Sequence, residues 1–179
     1  MKDFEIKLIP PTEEHRQQVE EYKQKFADNP SEIPGVTIHG CGSLGTQSFD
    51  EWLAECNDHA RGKNLPDGYV PATMFLGIRK VDGKLVGIFQ IRHSLTPHLE
   101  RIGGHVGYSV APDERSKGYA TQMLMLGLGE CRKLGIKKVR VSCVKDNIQS
   151  AKVIKKCGGE FDGDAEFEGK VFERYWINS

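Results

Sequence analysis

A short segment with basic side chains around a glycine carries the strongest chemical signal in the chain, and it reads Arg115-Ser116-Lys117-Gly118-Tyr119-Ala120. It follows an apolar stretch typical of a strand and opens a stretch with helical spacing of apolar residues. The first N–H groups of a helix lack intrahelical partners, and with the helix dipole they attract anions. Gly118 lets a ligand approach the main chain, while Arg115 and Lys117 add positive charge. The segment therefore predicts a turn that binds a pyrophosphate, with a plain strand-to-helix connection as the alternative.

The order of motifs from this turn onward resembles the GNAT superfamily of N-acetyltransferases. Arg115, Gly118 and Ala120 match the pattern Gln/Arg-x-x-Gly-x-Gly/Ala, which the family carries between its fourth strand and third helix. The family then has a fifth strand, an Asn that opens a short helix, and a Gly near the end of that helix. In this chain these features are 138–144, Asn147 with Ser150, and Gly158-Gly159. The stretch 104–177 carries the resemblance, and the first 70 residues show no matching motif.

The resemblance implies both a fold and a reaction. The fold is of the α/β (α+β) class, with a mixed, mostly antiparallel central sheet and helices on both faces. The reaction is direct transfer of an acetyl group from acetyl-CoA, the co-substrate, to an amine of a small molecule or a protein N-terminus. The Asn-x-x-Ser pattern without a later Tyr is similar to the branch that contains ribosomal-protein N-terminal acetyltransferases. A non-catalytic acyl-CoA-binding module, which senses the coenzyme or regulates a partner, is the alternative function.

The same resemblance assigns coenzyme-binding roles to the predicted strand and turn. Tyr108, Ser109 and Val110 are the strand residues that pair with the pantetheine arm, and the Val110 N–H faces the thioester oxygen. The N–H groups of 115–120 bind the pyrophosphate, with the Tyr119 side chain packed on the coenzyme. The Thr121 hydroxyl adds a bond at the start of the helix.

Asn147 holds the family position whose amide bonds the pantetheine arm, and Ser150 lies one turn further on. Asn is also strongly preferred as a helix N-cap, so a structural role explains the same residue. The two roles do not exclude each other.

The general acid is left open because the chain departs from the family here. Many members carry a Tyr two turns after the Asn, toward the departing sulfur, and this position holds Ile154. Three tyrosines are substitutes: Tyr108, Tyr119 and Tyr175.

His105 and Glu100 are the candidate general bases. Several family members place a Glu early in the fourth strand, and His105 lies at about that position. A His with a reference pKa of about 6.5 suits proton abstraction near neutral pH. The alternative is a strand-end histidine that bonds only to water or backbone. Glu100, from the preceding loop, is the next candidate.

Composition limits the class of protein. The 179 residues are 38% hydrophobic and 28% charged, which predicts one domain over 1–179 with a substantial core. Because 25 basic and 25 acidic residues balance, we expect no binding to nucleic acid. No apolar run could span a bilayer and the N-terminus lacks an apolar signal core, so we expect a cytoplasmic protein without membrane association. A homodimer is left open.

The five cysteines are scattered along the chain, and neither Cys-x-x-Cys nor His spacing suggests a metal site. Cys56, Cys131 and Cys157 fall at apolar positions of predicted helices, which favours buried, reduced thiols. Cys143 lies in a predicted core strand near the candidate site, where a catalytic thiol is the minor alternative. We therefore expect acetyl transfer without a metal.

Hydrophobic spacing and turn residues predict the remaining elements. The predicted strands are 4–9, 74–79, 84–93, 105–110, 138–144, 161–167 and 171–177, and the predicted loops include 29–46 and 96–104. A capping box at Ser48 and Glu51 predicts the start of a helix, and Gly135 predicts the end of another.

The closing hairpin contains five acidic residues within 160–168. Alternating carboxylates on one strand can share a face and attract cationic acceptors. Charges also protect the edges of sheets from aggregation, so a protected edge is the alternative, and the favoured one.

Overall fold

The computed structural model describes residues 4–27 and 38–179, and it contains an irregular succession of strands and helices. The helices are α1 (Arg16–Gln24), α2 (Phe49–Ala60), α3 (Pro97–Arg101), α4 (Tyr119–Lys133) and α5 (Ile148–Lys156). The strands are β1 (Ile6–Ile9), β2 (Ala72–Arg79), β3 (Leu85–Arg92), β4 (Val106–Val110), β5 (Lys138–Val144), β6 (Glu160–Phe167) and β7 (Lys170–Asn178). Single-turn 3₁₀ helices precede α1 and follow β4.

The strands pair as two antiparallel sheets. The first has the order β1-β2-β3-β4 and the second the order β5-β7-β6. An isolated bridge joins Gly104, just before β4, to Val141 in β5. Because β4 ends the order of the first sheet, one of its edges has no strand partner in the described ranges beyond this bridge. The α/β class with antiparallel pairing is confirmed.

Side chains of β3 alternate between two hydrophobic cores, one on each face of the first sheet. Ile88 packs with α1 and α2, in a core that contains Tyr22 and Trp52. Phe89 and Leu124 belong to the opposite core, which β3 shares with α4 and α5. Helices therefore cover both faces, as predicted.

Glycines bring α4 close to the sheet. A Cβ at Gly127 would lie 2.2 Å from the Phe89 ring, and one at Gly87 would lie 2.7 Å from the Met123 side chain. Larger residues at these positions would push the helix away. The close packing therefore fixes where the N-terminal end of α4 lies relative to β4.

Local signals for helix ends are confirmed in two places. Ser48 and Glu51 form the predicted capping box of α2, with the Ser48 N–H donating to Glu51 Oε2 at 2.9 Å. Gly135 has φ +80° just after α4, in the left-handed conformation that ends helices.

The prediction of a continuous loop over 96–104 is wrong, because this stretch contains α3. Thr96 caps the short helix by accepting a hydrogen bond from the Leu99 N–H at 3.2 Å, and Pro97 fills its first position. Most of the loop predicted over 29–46 lies outside the described residues, and 38–46 has no helix or strand.

Candidate functional site

The turn between β4 and α4 directs backbone N–H groups toward open space. Gly118 is the N-cap of α4 with φ +83°, and Ser116 also has a positive φ of +63°. The Gln122 N–H donates to the Gly118 carbonyl at 3.1 Å, so the N–H groups before it extend past the helix end. A Cβ at Gly118 would have no neighbour within 4 Å. The glycine is thus required by its backbone conformation, and the space in front of it suits an anion.

A buried carboxylate beneath the turn pairs with one of the two predicted cations. Glu114 is 3% exposed, and its oxygens lie 2.8 Å from Lys117 Nζ, 2.5 Å from Lys84 Nζ and 2.9 Å from Arg79 Nη1. Hydrogen bonds from Lys117 and Lys84 lower the pKa of Glu114 to about 2. Because the Lys117 ammonium already has a carboxylate partner, it stabilises the turn as well as adding charge.

The other side chains of the turn divide between solvent and core. Arg115 is exposed, and its Nε donates to the Val110 carbonyl at 3.4 Å. Tyr119 is only 6% exposed, and its hydroxyl accepts from Arg79 Nη1 at 3.2 Å. Little of the Tyr119 side chain is thus exposed, and its packing on the coenzyme stays a prediction. Ala120 and Thr121 lie half-buried in the first turn of α4.

The free edge of β4 leads directly to this turn. Residues 105 and 111 exchange backbone hydrogen bonds with β3, and bonding alternates along an antiparallel pair. The odd-numbered residues of β4 therefore face β3, while Tyr108 and Val110 direct their N–H and C=O groups outward. The outward Val110 carbonyl that accepts from Arg115 fits this alternation. Ser109 faces β3 instead, and its hydroxyl accepts from Tyr22 at 2.9 Å.

The Tyr108 side chain reaches from β4 to the start of α5. Its phenol oxygen lies 3.1 Å from Ser150 Oγ, and its ring stacks on Phe89 with centroids 6.1 Å apart. Burial raises the pKa of Tyr108 above its ordinary value, so the phenol keeps its proton at neutral pH. A proton donor therefore lies beside the free edge of β4.

Asn147 is the N-cap of α5, and its Oδ1 accepts from the Ser150 N–H at 3.0 Å. The structural role considered for this residue is confirmed. The cap uses the amide oxygen and not the amide nitrogen, and the side chain is exposed. A bond from Asn147 to the pantetheine arm stays a prediction.

Two other positions considered for the general acid lie in the core. Ile154 is fully buried, and a Cβ at Gly159 would lie 2.5 Å from it. Tyr175 is also fully buried, and its hydroxyl donates to Glu173 at 2.5 Å. Of the three candidate tyrosines, Tyr108 is the one that belongs to β4, and its hydroxyl lies beside Ser150 at the start of α5.

His105 uses its acceptor nitrogen within the fold. Nδ1 accepts from the Arg140 N–H at 2.9 Å, and the His105 N–H donates to the Arg140 carbonyl at 2.8 Å. Burial, together with the charges of Arg92 and Arg140, lowers the pKa of His105 to about 4. A neutral ring that accepts at Nδ1 carries its proton on Nε2, so neither nitrogen is free to accept a proton. This geometry favours the structural interpretation of His105 over the general base.

Glu100 lies in α3 with its side chain exposed, and its carbonyl accepts from Arg140 Nε at 3.0 Å. Its role as a base stays a prediction.

Sequence reasoning missed two arginines beside His105. Arg140 is 3% exposed, lies over the Trp176 ring at 4.3 Å, and contacts Asp162 at 2.6 Å. Arg92, at the end of β3, is partly buried, and burial lowers its pKa. The signal that could have found them is an arginine in a predominantly apolar strand. Arg92 ends the sequence LVGIFQIR of β3, and Arg140 is the third residue of KVRVSCV in β5.

Two carboxylates of the acidic hairpin form ion pairs with basic residues, one within β5 and one just after it. Asp162 contacts Arg140, and Asp164 contacts Lys145 Nζ at 2.7 Å. β6 lies at the edge of its sheet. These contacts favour the protected-edge interpretation over attraction of cationic acceptors.

The five cysteines form no disulfide. Cys56 and Cys131 are buried as predicted, whereas Cys157 is half-buried and contacts the Thr121 carbonyl at 3.8 Å. Burial raises the pKa of the Cys143 thiol to about 11. Because a thiol with this pKa is protonated at neutral pH, Cys143 does not fit a nucleophile.

The described ranges contain no group of three or more His, Cys, Asp or Glu side chains that could hold a metal ion. Their helices are also too short or too polar to cross a bilayer.

Comparison with known proteins gives matches to a family model and to solved structures. The family model described as an acetyltransferase (GNAT) domain matches residues 6–160. Among curated proteins, no sequence matches the chain. The solved structures that resemble it share the fold at low sequence identity.

Three of these solved structures illustrate the range of similarity. A ribosomal-protein-S5-alanine acetyltransferase from Vibrio fischeri has TM-score 0.70 and 15% identity, over 100% of this chain and 96% of that chain. A ribosomal L7/L12 alpha-N-protein acetyltransferase, in complex with coenzyme A, has TM-score 0.64 and 18% identity, with coverages of 98% and 95%. A spermidine N-acetyltransferase chimera from Vibrio cholerae and hSSAT has TM-score 0.65 and 14% identity, with coverages of 98% and 96%.

The family model spans most of the chain and includes the free edge of β4, the turn and α5. The sequence motif, the two-faced fold and this match agree. The chain therefore belongs to the GNAT family and is an acetyl-CoA-dependent N-acetyltransferase.

Proposed function

We propose that acetyl-CoA lies along the free edge of β4, with its pyrophosphate on the N–H groups of 115–120. The observation that carries this proposal is the continuity between the outward groups of β4 and the open turn before α4. Pairing with the outward N–H and C=O groups of Tyr108 and Val110 would hold the pantetheine arm as a further strand. The Thr121 hydroxyl and the Asn147 amide nitrogen lie on the two helices that begin nearby.

The reaction joins the acceptor nitrogen to the acetyl carbonyl carbon as the carbon–sulfur bond breaks. The nitrogen loses one proton, and the departing sulfur gains one. Tyr108 gives its phenol proton to the sulfur and regains a proton from solvent, in keeping with its protonated state and its position beside α5. An outward N–H of β4 donates to the carbonyl oxygen, where negative charge develops.

The acceptor amine passes its proton to water rather than to His105. Arg92 and Arg140 place positive charge around His105, and the same charge disfavours an ammonium ion on a nearby acceptor. The amine is then held in the neutral form that attacks. The Glu100 carboxylate, exposed on α3, is the alternative proton acceptor.

The acceptor is an amine of a small molecule or a peptide N-terminus. The relatives include acetyltransferases for a ribosomal protein and for spermidine, which supports this range of amines. The reduced cysteines are in keeping with a cytoplasmic location.

Calorimetry with acetyl-CoA and a transfer assay over amino acids, polyamines, other amines and short peptides test the proposal. We expect one acetyl-CoA site per chain and release of free thiol that depends on an acceptor. Binding without transfer to any amine would favour the non-catalytic sensor. Absence of binding would contradict the coenzyme site.

A further inference from the structure

Arg92 is a cation whose described partners are all carbonyl groups. Its Nη1 donates to the Gly104 carbonyl at 3.1 Å and to the Gly103 carbonyl at 3.4 Å. Through 4–27 and 38–179, no carboxylate pairs with this guanidinium and no acceptor meets its Nε or Nη2. A partly buried guanidinium normally has a carboxylate or phosphate partner, because desolvating an unpaired charge is costly.

The backbone around Arg92 is built for this arrangement. Gly103 and Gly104 both have positive φ, +95° and +67°, which turns their carbonyls onto Arg92. A Cβ at Gly104 would lie 2.4 Å from the Arg140 carbonyl oxygen, so this position must remain glycine. The side chain is therefore held at Nη1, while the opposite edge of the guanidinium is left for another group.

This edge of the guanidinium, which has no described acceptor, lies beside the strand on which the thioester is proposed to bind. A Cβ at Gly107 would be 3.8 Å from Arg92 Nη2. Gly107 directly precedes Tyr108 on β4, and one residue of a strand spans about 3.3 Å. A group bound at Nη2 would therefore lie near the backbone of β4, on the face of the sheet opposite to the Tyr108 side chain, so that an acceptor there approaches the β4 edge from the side away from the phenol.

The Glu55 carboxylate has partners other than Arg92. Glu55 on α2 accepts from the Gln47 amide at 2.9 Å and from the Ser43 N–H at 3.4 Å. Among the described residues, Arg92 therefore has no carboxylate partner.

We propose that Arg92 binds a carboxylate of the acceptor, and that the acceptor is a free α-amino acid. The inference rests on the proposed acetyl-transfer function and narrows its acceptor. Two N–H groups on one edge of a guanidinium can donate to the two oxygens of a carboxylate. An α-amino acid carries its amine on the carbon next to the carboxylate. A peptide N-terminus lacks a carboxylate at this position.

Matched acceptor pairs test the inference on the unaltered protein. Each of the twenty L-amino acids is compared with its carboxamide, which has the same side chain and amine but an uncharged amide in place of the α-carboxylate. For the preferred side chain, we expect kcat/KM to be about 10–100-fold higher for the acid, the range for a hydrogen bond to a charged group. The amine of a carboxamide is less basic and more often neutral, so intrinsic reactivity would give the opposite order.

Two variants then test whether Arg92 causes the preference for the acid over the carboxamide. Arg92→Met should raise KM for the amino acid until acid and carboxamide are equal, and Arg92→Lys should restore part of the difference. Arg101→Met is the matched control, since Arg101 on the neighbouring α3 also donates to a carbonyl, that of Glu166 at 2.8 Å. The control should keep the wild-type ratio.

Direct binding separates failure of this inference from failure of the proposed function. Calorimetry of the amino acid and its carboxamide should show binding of the acid alone, and loss of that binding in Arg92→Met. Equal transfer to both members of every pair would overturn the carboxylate site and leave acetyl transfer intact. If Arg92→Met does not fold, the wild-type pairs decide alone.

Discussion

The proposed coenzyme side and the proposed acceptor side of the site are built from different parts of the protein. On the coenzyme side, backbone groups of one continuous segment, 106–121, form both the strand edge and the turn. The acceptor side contains the side chains of Arg92, His105 and Arg140, which come from three separated stretches of chain. A site made of backbone requires little of its side chains, whereas a site made of side chains depends on how distant strands meet.

The two sides also use positive charge differently. Lys117, beside the turn, faces the buried Glu114 carboxylate at 2.8 Å, so the fold itself neutralises this cation. Arg92 is fixed by two carbonyls and has no carboxylate among its described contacts. Arg140 has Asp162 as its partner, so Arg92 is the cation that we propose binds a ligand, and this difference can be tested on each side separately.

The largest expected effect comes from Gly118→Val on the coenzyme side. Valine is strained at φ +83°, and its side chain would occupy the open space before α4. We expect acetyl-CoA affinity to fall more than about 10²-fold by calorimetry, equivalent to about 3 kcal/mol.

Gly135→Val is the matched control for backbone strain. Gly135 has φ +80° and an equally empty surrounding, but it lies at the other end of α4. It should lose similar stability, by thermal unfolding, and keep its acetyl-CoA affinity. Equal losses of affinity in both variants would show that strain, and not the turn, controls binding.

The sequence predicted the turn before α4 and the N-cap of α5 because their signals are local. A glycine with two basic neighbours marks the turn, and the polar Asn147 marks the start of α5. The contacts of His105 were not predictable, for the opposite reason. His105 appeared suited to proton abstraction by residue type, but its acceptor nitrogen is used by the Arg140 N–H, from a strand 35 residues further along the chain.

Much of the fold was also predictable, and the errors have similar causes. The spacing of apolar residues indicated the strands and the long helices, because each of these elements must place apolar side chains on the face that it buries. The five-residue α3 was missed because it buries no apolar face of its own, and its start depends on a single cap at Thr96. The contact of the Tyr119 hydroxyl with Arg79 was not predicted because it depends on β2, which is distant in sequence.

Tyr108→Phe tests the point where the two sides meet. If Tyr108 protonates the sulfur, kcat should fall about 10²-fold, at the low end of the range for general acid catalysis. Acetyl-CoA affinity should be unchanged, because the backbone of β4 stays the same. Activity of the wild type should decline only above the ordinary pKa of tyrosine, since burial raises the pKa of Tyr108.

Tyr175→Phe is the control, as it also removes a buried hydroxyl with one hydrogen bond, to Glu173. It should retain near-normal turnover. If Tyr108→Phe keeps wild-type kcat and the same alkaline limb, the proton comes from solvent instead.

The smallest expected effect is that of His105→Gln, in which the amide oxygen can accept the Arg140 N–H in place of Nδ1. Because His105 is held neutral by a pKa of about 4, turnover should fall less than about tenfold, and the pH–rate profile between pH 5 and 8 should keep its shape. Stability should respond more clearly than rate. The folded-state pKa lies below the unfolded value of about 6.5, so the His105 contribution is present above pH 6.5 and is lost as pH falls toward 4. The variant should therefore unfold with a weaker dependence on pH in this window, as measured by thermal unfolding. A loss of turnover of 10² or more, together with disappearance of the acidic limb of the rate profile, would restore His105 as the general base and would move the acceptor amine next to it.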